Sequence, residues 1–115
     1  MEVAFGMFAD SLDFLMMGTG GALCDYQTYL GDNVNYLATC SAFKLTTLNR
    51  EIRVLDHTTA IIAWAYQVEA TLKTGEKDVI DHAGASFVFR KMGGAWKVVY
   101  YHESSVPPKR ISAAD

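Results

Sequence analysis

The sequence predicts one α+β domain in which a helix packs on a strongly bent antiparallel sheet. The chain has 115 residues, half of them hydrophobic, which fits a single domain with a buried core. Its first third contains a segment with helical periodicity, and the rest alternates between apolar and polar residues in four long runs. A helix followed by consecutive strands is typical of the α+β class.

The N-terminal third is interpreted as a turn, a short strand and a helix. Residues 10–13 suit a turn or cap. The apolar run 14–17 predicts a short strand, which the glycine-rich segment 18–21 ends. Residues 22–37 carry apolar side chains at helical spacing, which predicts an amphipathic helix. These apolar positions are Leu23, Tyr26, Leu30, Val34 and Leu37.

From Ala42 onward the sequence predicts a meander of antiparallel strands, separated by turn-forming residues. The predicted long strands are residues 42–55, 59–73, 77–91 and 95–105. With the short strand, the sheet has four to five strands. Pro107 and Pro108 cannot donate ladder hydrogen bonds, so we predict a domain at residues 1–106 and a C-terminal tail at residues 107–115.

Composition and cysteine usage exclude several classes of function. The formal net charge is −3 and no stripe of lysine and arginine is present, so no nucleic-acid partner is expected. No apolar run approaches the roughly 18 residues that span a membrane, and the start lacks a secretory leader. Cys24 and Cys40 cannot form a disulfide scaffold and fit a reducing compartment, so a cytoplasmic protein is expected. The scattered His57, His82 and His102 predict no metal site, and we expect no cofactor.

The hairpin loops set the expected register of the sheet. A three-residue loop at residues 92–94 pairs Lys91 with Ala95, and one at residues 74–76 pairs Lys73 with Lys77. Because directly opposed residues share a face, two faces are predicted. The alanine-rich face contains Ala63, Ala65, Gln67, Ala83, Ala85, Phe87, Val99, Tyr101 and Glu103. The aromatic face contains Trp64, Tyr66, Val68, His82, Val88, Trp96, Val98, Tyr100 and His102.

Each face suggests a role. Small side chains leave room for a cavity between sheet and helix, to which Tyr26 or Tyr29 of the helix adds a hydroxyl. The predicted pocket residues are Tyr26, Gln67, Phe87, Tyr101 and Glu103. The aromatic face is too large for one helix to cover, which predicts a homodimer interface. Its predicted residues are Trp64, Tyr66, Tyr100 and His102. The alternative is that the aromatic face forms the core and the alanine-rich face is exposed.

The closing hairpin carries the most specific pattern. Residues 85–105 read ASFVFRKMGGAWKVVYYHESS. This segment resembles the closing hairpin of SnoaL-like proteins in the nuclear transport factor 2-like superfamily, and that of the calcium/calmodulin-dependent kinase II association domain. The resemblance implies a cystatin-like cone, a bent sheet around a helical layer with a pocket at its open end. It also implies pocket positions at Gln67, Phe87 and Glu103, none of which is basic as in the kinase domain.

The start of the chain departs from this family pattern. Phe8-Ala9-Asp10 resembles the family's opening segment, but only a few residues precede it. Family members usually begin with a long helix that closes the cone, so we expect that helix to be missing or short. Either the chain is a truncated member or a partner subunit covers the cone, which favours an oligomer.

Two functions remain open at this point. The first is a non-catalytic domain for small-molecule binding or assembly, because the sequence shows no complete catalytic constellation. The second is a small general acid–base enzyme of the isomerase, cyclase or hydrolase type. Glu103 is then the candidate catalytic residue, with Tyr101 and Gln67 beside it.

Overall fold

The computed structural model describes residues 14–113, which form a strongly curved seven-stranded sheet with a helix on its concave face. The elements are β1 (Leu15–Met17), β2 (Leu23–Cys24), α1 (Tyr26–Leu37), β3 (Cys40–Asp56), β4 (Thr59–Leu72), β5 (Lys77–Met92), β6 (Ala95–Ser105) and β7 (Lys109–Ile111). The strand order is β2-β1-β6-β5-β4-β3, and β7 pairs with β5. This confirms the predicted α+β class.

Two details of the sheet differ from the prediction. The described part of the chain contains seven strands rather than four to five, because β2 and β7 were not predicted. The sheet is mixed, since β1 runs parallel to β6. The four long strands begin and end within two residues of their predicted limits. The turn at residues 10–13, the opening segment at residues 8–10 and the expected lack of an N-terminal helix lie outside the described residues.

Helix α1 begins four residues later than predicted. Asp25 is its N-cap, and one carboxylate oxygen accepts a hydrogen bond from the backbone nitrogen of Thr28 at 2.9 Å. Leu23 and Cys24 form β2 instead, paired antiparallel with β1. At residues 14–113, no helix is long and apolar enough to cross a membrane.

The turn between β5 and β6 has two residues rather than the predicted three. Gly93 and Gly94 have φ angles of 59° and 84°. Two successive positive φ angles define the tight type I′ turn, and glycine adopts them without steric strain. Met92 therefore pairs with Ala95, and the predicted pairing of Lys91 with Ala95 is wrong.

A bulge in the same hairpin restores the predicted faces. The register shifts between Val88 and Phe89, so that Phe87 pairs with Tyr101 rather than with the predicted Val99. The total displacement from the prediction is two residues. Because side chains alternate along a strand, this even displacement leaves the residues beyond the bulge on their predicted faces, whereas Val98, between the turn and the bulge, changes face. Phe87 and Tyr101 therefore share a face, as predicted.

A bulge between β4 and β5 has the opposite effect. Opposite Gln67 of β4, strand β5 contributes two residues, Asp81 and His82. The extra residue displaces the pairing by an odd number, so Trp64 rather than Ala65 lies opposite Ala85. A one-residue displacement moves every side chain of a strand to the other face.

The predicted separation of an alanine-rich face from an aromatic face is therefore wrong for β4. Trp64 and Tyr66 lie on the concave face, and Gln67 lies on the convex face. The concave face combines Trp64, Tyr66, Ala83, Ala85, Phe87, Tyr101 and Glu103. The convex face carries Ala63, Ala65, Gln67, Val88, Tyr100 and His102. The alternative interpretation, that aromatic residues form the core, holds for Tyr66, which is 7% exposed.

The core lies between the concave face and α1. Its best-buried large side chain is Val98, at 2% exposure, which the sequence placed on the aromatic face. Phe14 packs there against Tyr26 and Tyr29 of the helix, with ring centroids 5.8 and 6.0 Å apart. The core thus joins β1, β6 and α1.

The C-terminal strand β7 extends the edge of β5 beyond β6. Arg110 pairs opposite Asp78, and its guanidinium binds both carboxylate oxygens at 2.7 and 2.8 Å. The hydroxyl of Tyr36 in α1 donates to the same carboxylate at 2.8 Å. Asp78 therefore links the helix to β7. The domain limit at residue 106 stays a prediction, but β7 shows that part of the tail joins the sheet.

Candidate functional site

Three tyrosine phenols and one carboxylate meet on the concave face. Tyr29 of α1, Tyr66 of β4 and Tyr101 of β6 are 8%, 7% and 6% exposed. The hydroxyl of Tyr101 donates to one carboxylate oxygen of Glu103 at 2.8 Å. Tyr101 is also within hydrogen-bonding reach of the phenols of Tyr29 and Tyr66. We call these four residues the phenol cluster.

Local structure explains why these side chains converge. Tyr101 and Glu103 are two positions apart on β6, so both point to the concave face. Tyr29 lies one helical turn after the N-cap Asp25, and its ring packs on Tyr101 with centroids 5.4 Å apart. The side-chain amide of Asn33 donates to the backbone oxygen of Tyr29 at 2.8 Å. The helix therefore fixes Tyr29 over the sheet.

Burial raises the pKa of the Tyr29, Tyr66 and Tyr101 phenols. The negative charge of Glu103 raises the pKa of each phenol further, because a phenolate would face a like charge. All three phenols therefore remain protonated at neutral pH. Each phenol has one hydrogen to donate, and Tyr101 gives its own to Glu103. A bound carbonyl or hydroxyl oxygen would therefore accept a hydrogen bond from the cluster in place of one of the bonds within it.

An aromatic wall continues the concave face beyond the phenol cluster. It consists of Trp64, Phe87 and Phe89 together with Tyr66. Trp64 stacks on Tyr66 with ring centroids 4.2 Å apart and an interplanar angle of 25°. The indole nitrogen of Trp64 donates to the hydroxyl of Thr47 on β3 at 3.0 Å, which holds the indole in place. Trp64 and Phe87 are only half-buried, so part of this wall is accessible.

Of the five predicted pocket residues, three lie together on the concave face and two lie elsewhere. Phe87, Tyr101 and Glu103 lie together on the concave face, with the rings of Phe87 and Tyr101 4.8 Å apart. Tyr26, at the start of α1, packs edge-on against Phe14 and belongs to the core. Gln67 lies on the convex face, because the bulge in β5 shifts the pairing by one residue and so places its side chain on the face opposite to the predicted one. The pocket role of all five residues stays a prediction.

The predicted interface residues divide between the two faces. Tyr100 and His102 lie on the convex face, as the interface prediction requires. Trp64 and Tyr66 lie on the concave face and cannot join them in one flat contact. The same one-residue shift separates Trp64 and Tyr66 from the other two residues, and the interface role of all four stays a prediction.

Sequence reasoning missed Trp64 and Tyr66 as site residues. Their alternation with Ala63 and Ala65 was read correctly, but the face could be assigned only through the pairing with β5. The bulge at Asp81 leaves no pattern in composition or periodicity. A helix-side signal did exist for Tyr29, which shares helical spacing with Tyr26.

Cys24 lies beside the phenol cluster. Its thiol is 3.2 Å from the sulfur of Met16. Burial raises the pKa of this thiol, and the nearby carboxylates of Asp32, Asp25 and Glu103 raise it further. A thiol in this environment stays protonated and unreactive. Within residues 14–113, no group of three or more His, Cys, Asp or Glu side chains could hold a metal ion.

A separate open concavity lies between the end of α1 and the start of β3. This groove of about 430 Å³ has mainly apolar walls that include Val34, Leu37 and Phe43. It brings no carboxylate, imidazole or phenol together. We therefore place the candidate site at the phenol cluster and aromatic wall, where polar groups converge on apolar surface.

Comparisons with solved structures support the cone architecture. The fold is similar to that of a protein from Xanthomonas campestris assigned as a calcium/calmodulin dependent protein kinase II association domain. The two share 24% identity and a TM-score of 0.71, over 90% of this chain and 71% of the other.

Two further structures show the same fold. One is from Streptomyces avermitilis and is assigned as a dehydratase of the NTF2-like family, with 15% identity and a TM-score of 0.74 over 92% and 81% of the chains. The other is an uncharacterised protein with a cystatin-like fold from Caulobacter vibrioides, with 14% identity and a TM-score of 0.68 over 89% and 72% of the chains. These similarities show that the chain shares the fold of these proteins. No curated protein matches the chain.

The family assignment rests on the sequence itself. The family model described as the calcium/calmodulin dependent protein kinase II association domain matches residues 23–107. This segment runs from β2 to the first proline after β6 and includes the phenol cluster. It covers well over half of the chain, which therefore belongs to the calcium/calmodulin dependent protein kinase II association domain family.

Proposed function

We propose that this domain assembles with copies of itself through the convex face and holds a small organic molecule on the concave face without transforming it. The observation that carries the proposal is the division of the sheet into two unlike faces. The concave face has buried phenols and an accessible aromatic wall. The convex face has a central apolar row and no helix over it among the described residues.

The apolar row crosses four strands of the convex face. Leu15 of β1 lies beside Tyr100 of β6. Tyr100 in turn pairs with Val88 of β5, and Val88 pairs with Ile61 of β4. Leu15 and Ile61 are 43% and 38% exposed. A contiguous apolar row on an open sheet face is a favourable surface for another protein. The family's association role supports a second copy as the partner, and a two-fold homodimer brings two identical rows together.

The concave face suits binding better than chemistry. The aromatic wall supplies dispersion contacts, and the phenol cluster supplies hydrogen-bond donors. General acid–base catalysis by histidine is not supported, because His102 is on the convex face and His82 is exposed at the bulge. Two unpaired cysteines fit a reducing compartment such as the cytoplasm.

Substitution of Ile61 by glutamate tests the assembly. A charge in the apolar row has to be desolvated on association, so we expect the dissociation constant of the assembly to rise by at least about tenfold. Sedimentation equilibrium measures this change. Ile52→Glu is the matched control, because Ile52 is 51% exposed on the concave side of neighbouring β3. A wild-type protein that stays monomeric at high concentration, or dissociation by Ile52→Glu alone, would contradict the proposal.

The hydrogen bond between Tyr101 and Glu103 favours a second function, that of an acid–base lyase. In such a reaction Glu103 would take a proton from the carbon next to a carbonyl, while a phenol of the cluster hydrogen-bonds to the carbonyl oxygen. The bond from the β-carbon to its hydroxyl would then break, and the hydroxyl would leave as water with the proton that Glu103 returns. The fold similarity to a protein assigned as a dehydratase agrees with this chemistry.

Turnover assays distinguish the two functions. The lyase account predicts dehydration of a β-hydroxy ketone and a loss of at least about a hundredfold in turnover for Glu103→Gln. The binding account predicts no turnover by the wild type or by the Glu103→Gln variant. It also predicts that thermal stabilisation by aromatic compounds survives in the Tyr29→Phe variant, with a smaller shift.

A further inference from the structure

We infer that the concave face is a polarised slot for an aromatic molecule that carries an anionic group at one end and a cationic amine at the other. The inference rests on the proposed concave binding function. It comes from a single row of residues that crosses four strands. Arg50 of β3 lies opposite Trp64 of β4, Trp64 lies opposite Ala85 of β5, and Ala85 lies opposite Glu103 of β6.

Residues in one transverse row share a face, so Arg50 and Glu103 flank the aromatic wall from opposite sides. Three strand spacings separate their backbones, about 14 Å along the sheet. Both side chains extend from the same concave surface. A single aromatic ring with short charged arms therefore spans the distance between the guanidinium and the carboxylate.

The positive end has an available charge. Arg50 is exposed and, within residues 14–113, its side chain takes part in no hydrogen bond or ion pair. The other arginine that faces outward on β3, Arg53, is already paired with Glu51 at 2.8 Å. Arg50 lies at none of the positions that family resemblance implies for the pocket. Its guanidinium can bind a carboxylate through two parallel hydrogen bonds.

The negative end is the carboxylate of Glu103. Glu103 accepts the Tyr101 hydroxyl through Oε2 only. No buried side-chain polar atom of the described residues lacks a partner, so Oε1 of Glu103 must be accessible. This end of the slot attracts a cation.

The surface between the two ends is apolar and partly open. The adjoining row consists of Ile52, Ile62, Phe87 and Tyr101. Ile52 is 51% exposed, and Ile62 and Phe87 are half-buried. The stacked Trp64 and Tyr66 form a rigid side wall. An aromatic ring that lies on this surface buries apolar area that is otherwise in water.

Calorimetric titration of the full chain with four matched probes tests the inference. The dipolar probe is 3-[4-(aminomethyl)phenyl]propanoate. Its analogues are 3-phenylpropanoate, 3-phenylpropylamine and 3-phenylpropanol. We expect the dipolar probe to bind at least about tenfold more tightly than each analogue, because only it meets both charges.

Variants assign each charge to its end. Arg50→Gln should reduce affinity for the dipolar probe and the propanoate by at least about tenfold and leave affinity for the amine unchanged. Glu103→Gln should reduce affinity for the dipolar probe and the amine and leave affinity for the propanoate unchanged. Arg50→Lys should retain part of the affinity for the propanoate. Arg53→Gln is the matched control on the same strand and should leave all affinities unchanged.

The other outcomes have defined meanings. If the propanol binds and the charged groups add nothing, the polarised slot is wrong and the concave binding function stands. If none of the probes binds, both are wrong. Equal weakening of all probes by Arg50→Gln, or a changed oligomeric state, would show that Arg50 has a structural role and would overturn the inference.

Discussion

The hydroxyl of Tyr101 holds the carboxylate of Glu103 at 2.8 Å, between side chains two residues apart on one strand. This hydrogen bond ties one oxygen of the Glu103 carboxylate to the buried phenols. Since Tyr101 is 6% exposed, its ring also forms part of the core. The same residue therefore supports both the fold and the candidate site.

Loss of the Tyr101 hydroxyl should destabilise the protein. We expect Tyr101→Phe to lower the free energy of unfolding by about 1–3 kcal/mol, because buried partners lose a hydrogen bond. Urea unfolding measures the change. The control is Tyr100→Phe, whose hydroxyl forms no hydrogen bond among the described residues, and we expect a change within about 0.5 kcal/mol. Equal stability of both variants would refute the buried network.

Val98 should be a principal packing residue. It is 2% exposed, so Val98→Ala removes buried methyl groups and leaves a cavity, which should cost about 2 kcal/mol. Val106→Ala is the matched control, because Val106 is 42% exposed; its effect should be below about 0.5 kcal/mol. Thermal unfolding of the two variants checks the difference, which would vanish if Val98 were solvated.

Two glycine substitutions should change stability in opposite directions. Gly94 has a φ of 84°, so Gly94→Ala should lower the free energy of unfolding by about 1–2 kcal/mol. Gly31 lies inside α1, where an added methyl group would meet no atom within 4 Å apart from its own stretch of helix, so Gly31→Ala should raise the free energy of unfolding by about 0.5–1 kcal/mol. Denaturant titration checks both signs. Stabilisation by Gly94→Ala would contradict the type I′ turn.

The Asp78 link should make stability depend on pH. Hydrogen bonds from Arg110 lower the pKa of Asp78, and the Tyr36 hydroxyl adds to this effect. A carboxylate with a lowered pKa in the folded state stabilises the protein above its unfolded pKa, about 3.9. That contribution is lost as the pH falls through the folded pKa. We expect Asp78→Asn to cost about 1–2 kcal/mol at pH 7, and the difference from wild type to shrink below about pH 4.

Asp81→Asn is the control for this titration. The ion pair of Asp81 with Lys109 is more exposed, with side-chain exposures of 46% and 72%, so its loss should cost less than about 1 kcal/mol. Unfolding free energies measured from pH 7 to pH 3 separate the two variants. An Asp78→Asn variant that parallels wild type over this range would exclude the link.

The sequence predicted the elements of this fold better than their pairing. Strand limits follow from alternation and turn residues, which are local properties, and the limits of β3 to β6 agree within two residues. Pairing depends on bulges, which insert one residue at a place set by the whole sheet. The two residues Asp81 and His82 opposite Gln67 move the side chains of β4 to the face opposite to the predicted one.

The same physical limit explains the prediction of the site. Phe87, Tyr101 and Glu103 were grouped correctly because two errors in the β5–β6 hairpin added to an even displacement. Gln67 and Trp64 were exchanged between the faces because the error in the β4–β5 hairpin was odd. Arg50 could not be recognised from sequence, since its neighbour Trp64 is known only from the register.

The central claim is that the concave face is separate from the subunit interface, and the emission of Trp64 tests this most directly. In a Trp96→Phe background, Trp64 is the remaining tryptophan. Its emission should be the same in the assembled protein and in the Ile61→Glu variant, and should change when 3-[4-(aminomethyl)phenyl]propanoate is added. Emission that shifts on dissociation and ignores the added compound would place Trp64 in the interface and contradict the account.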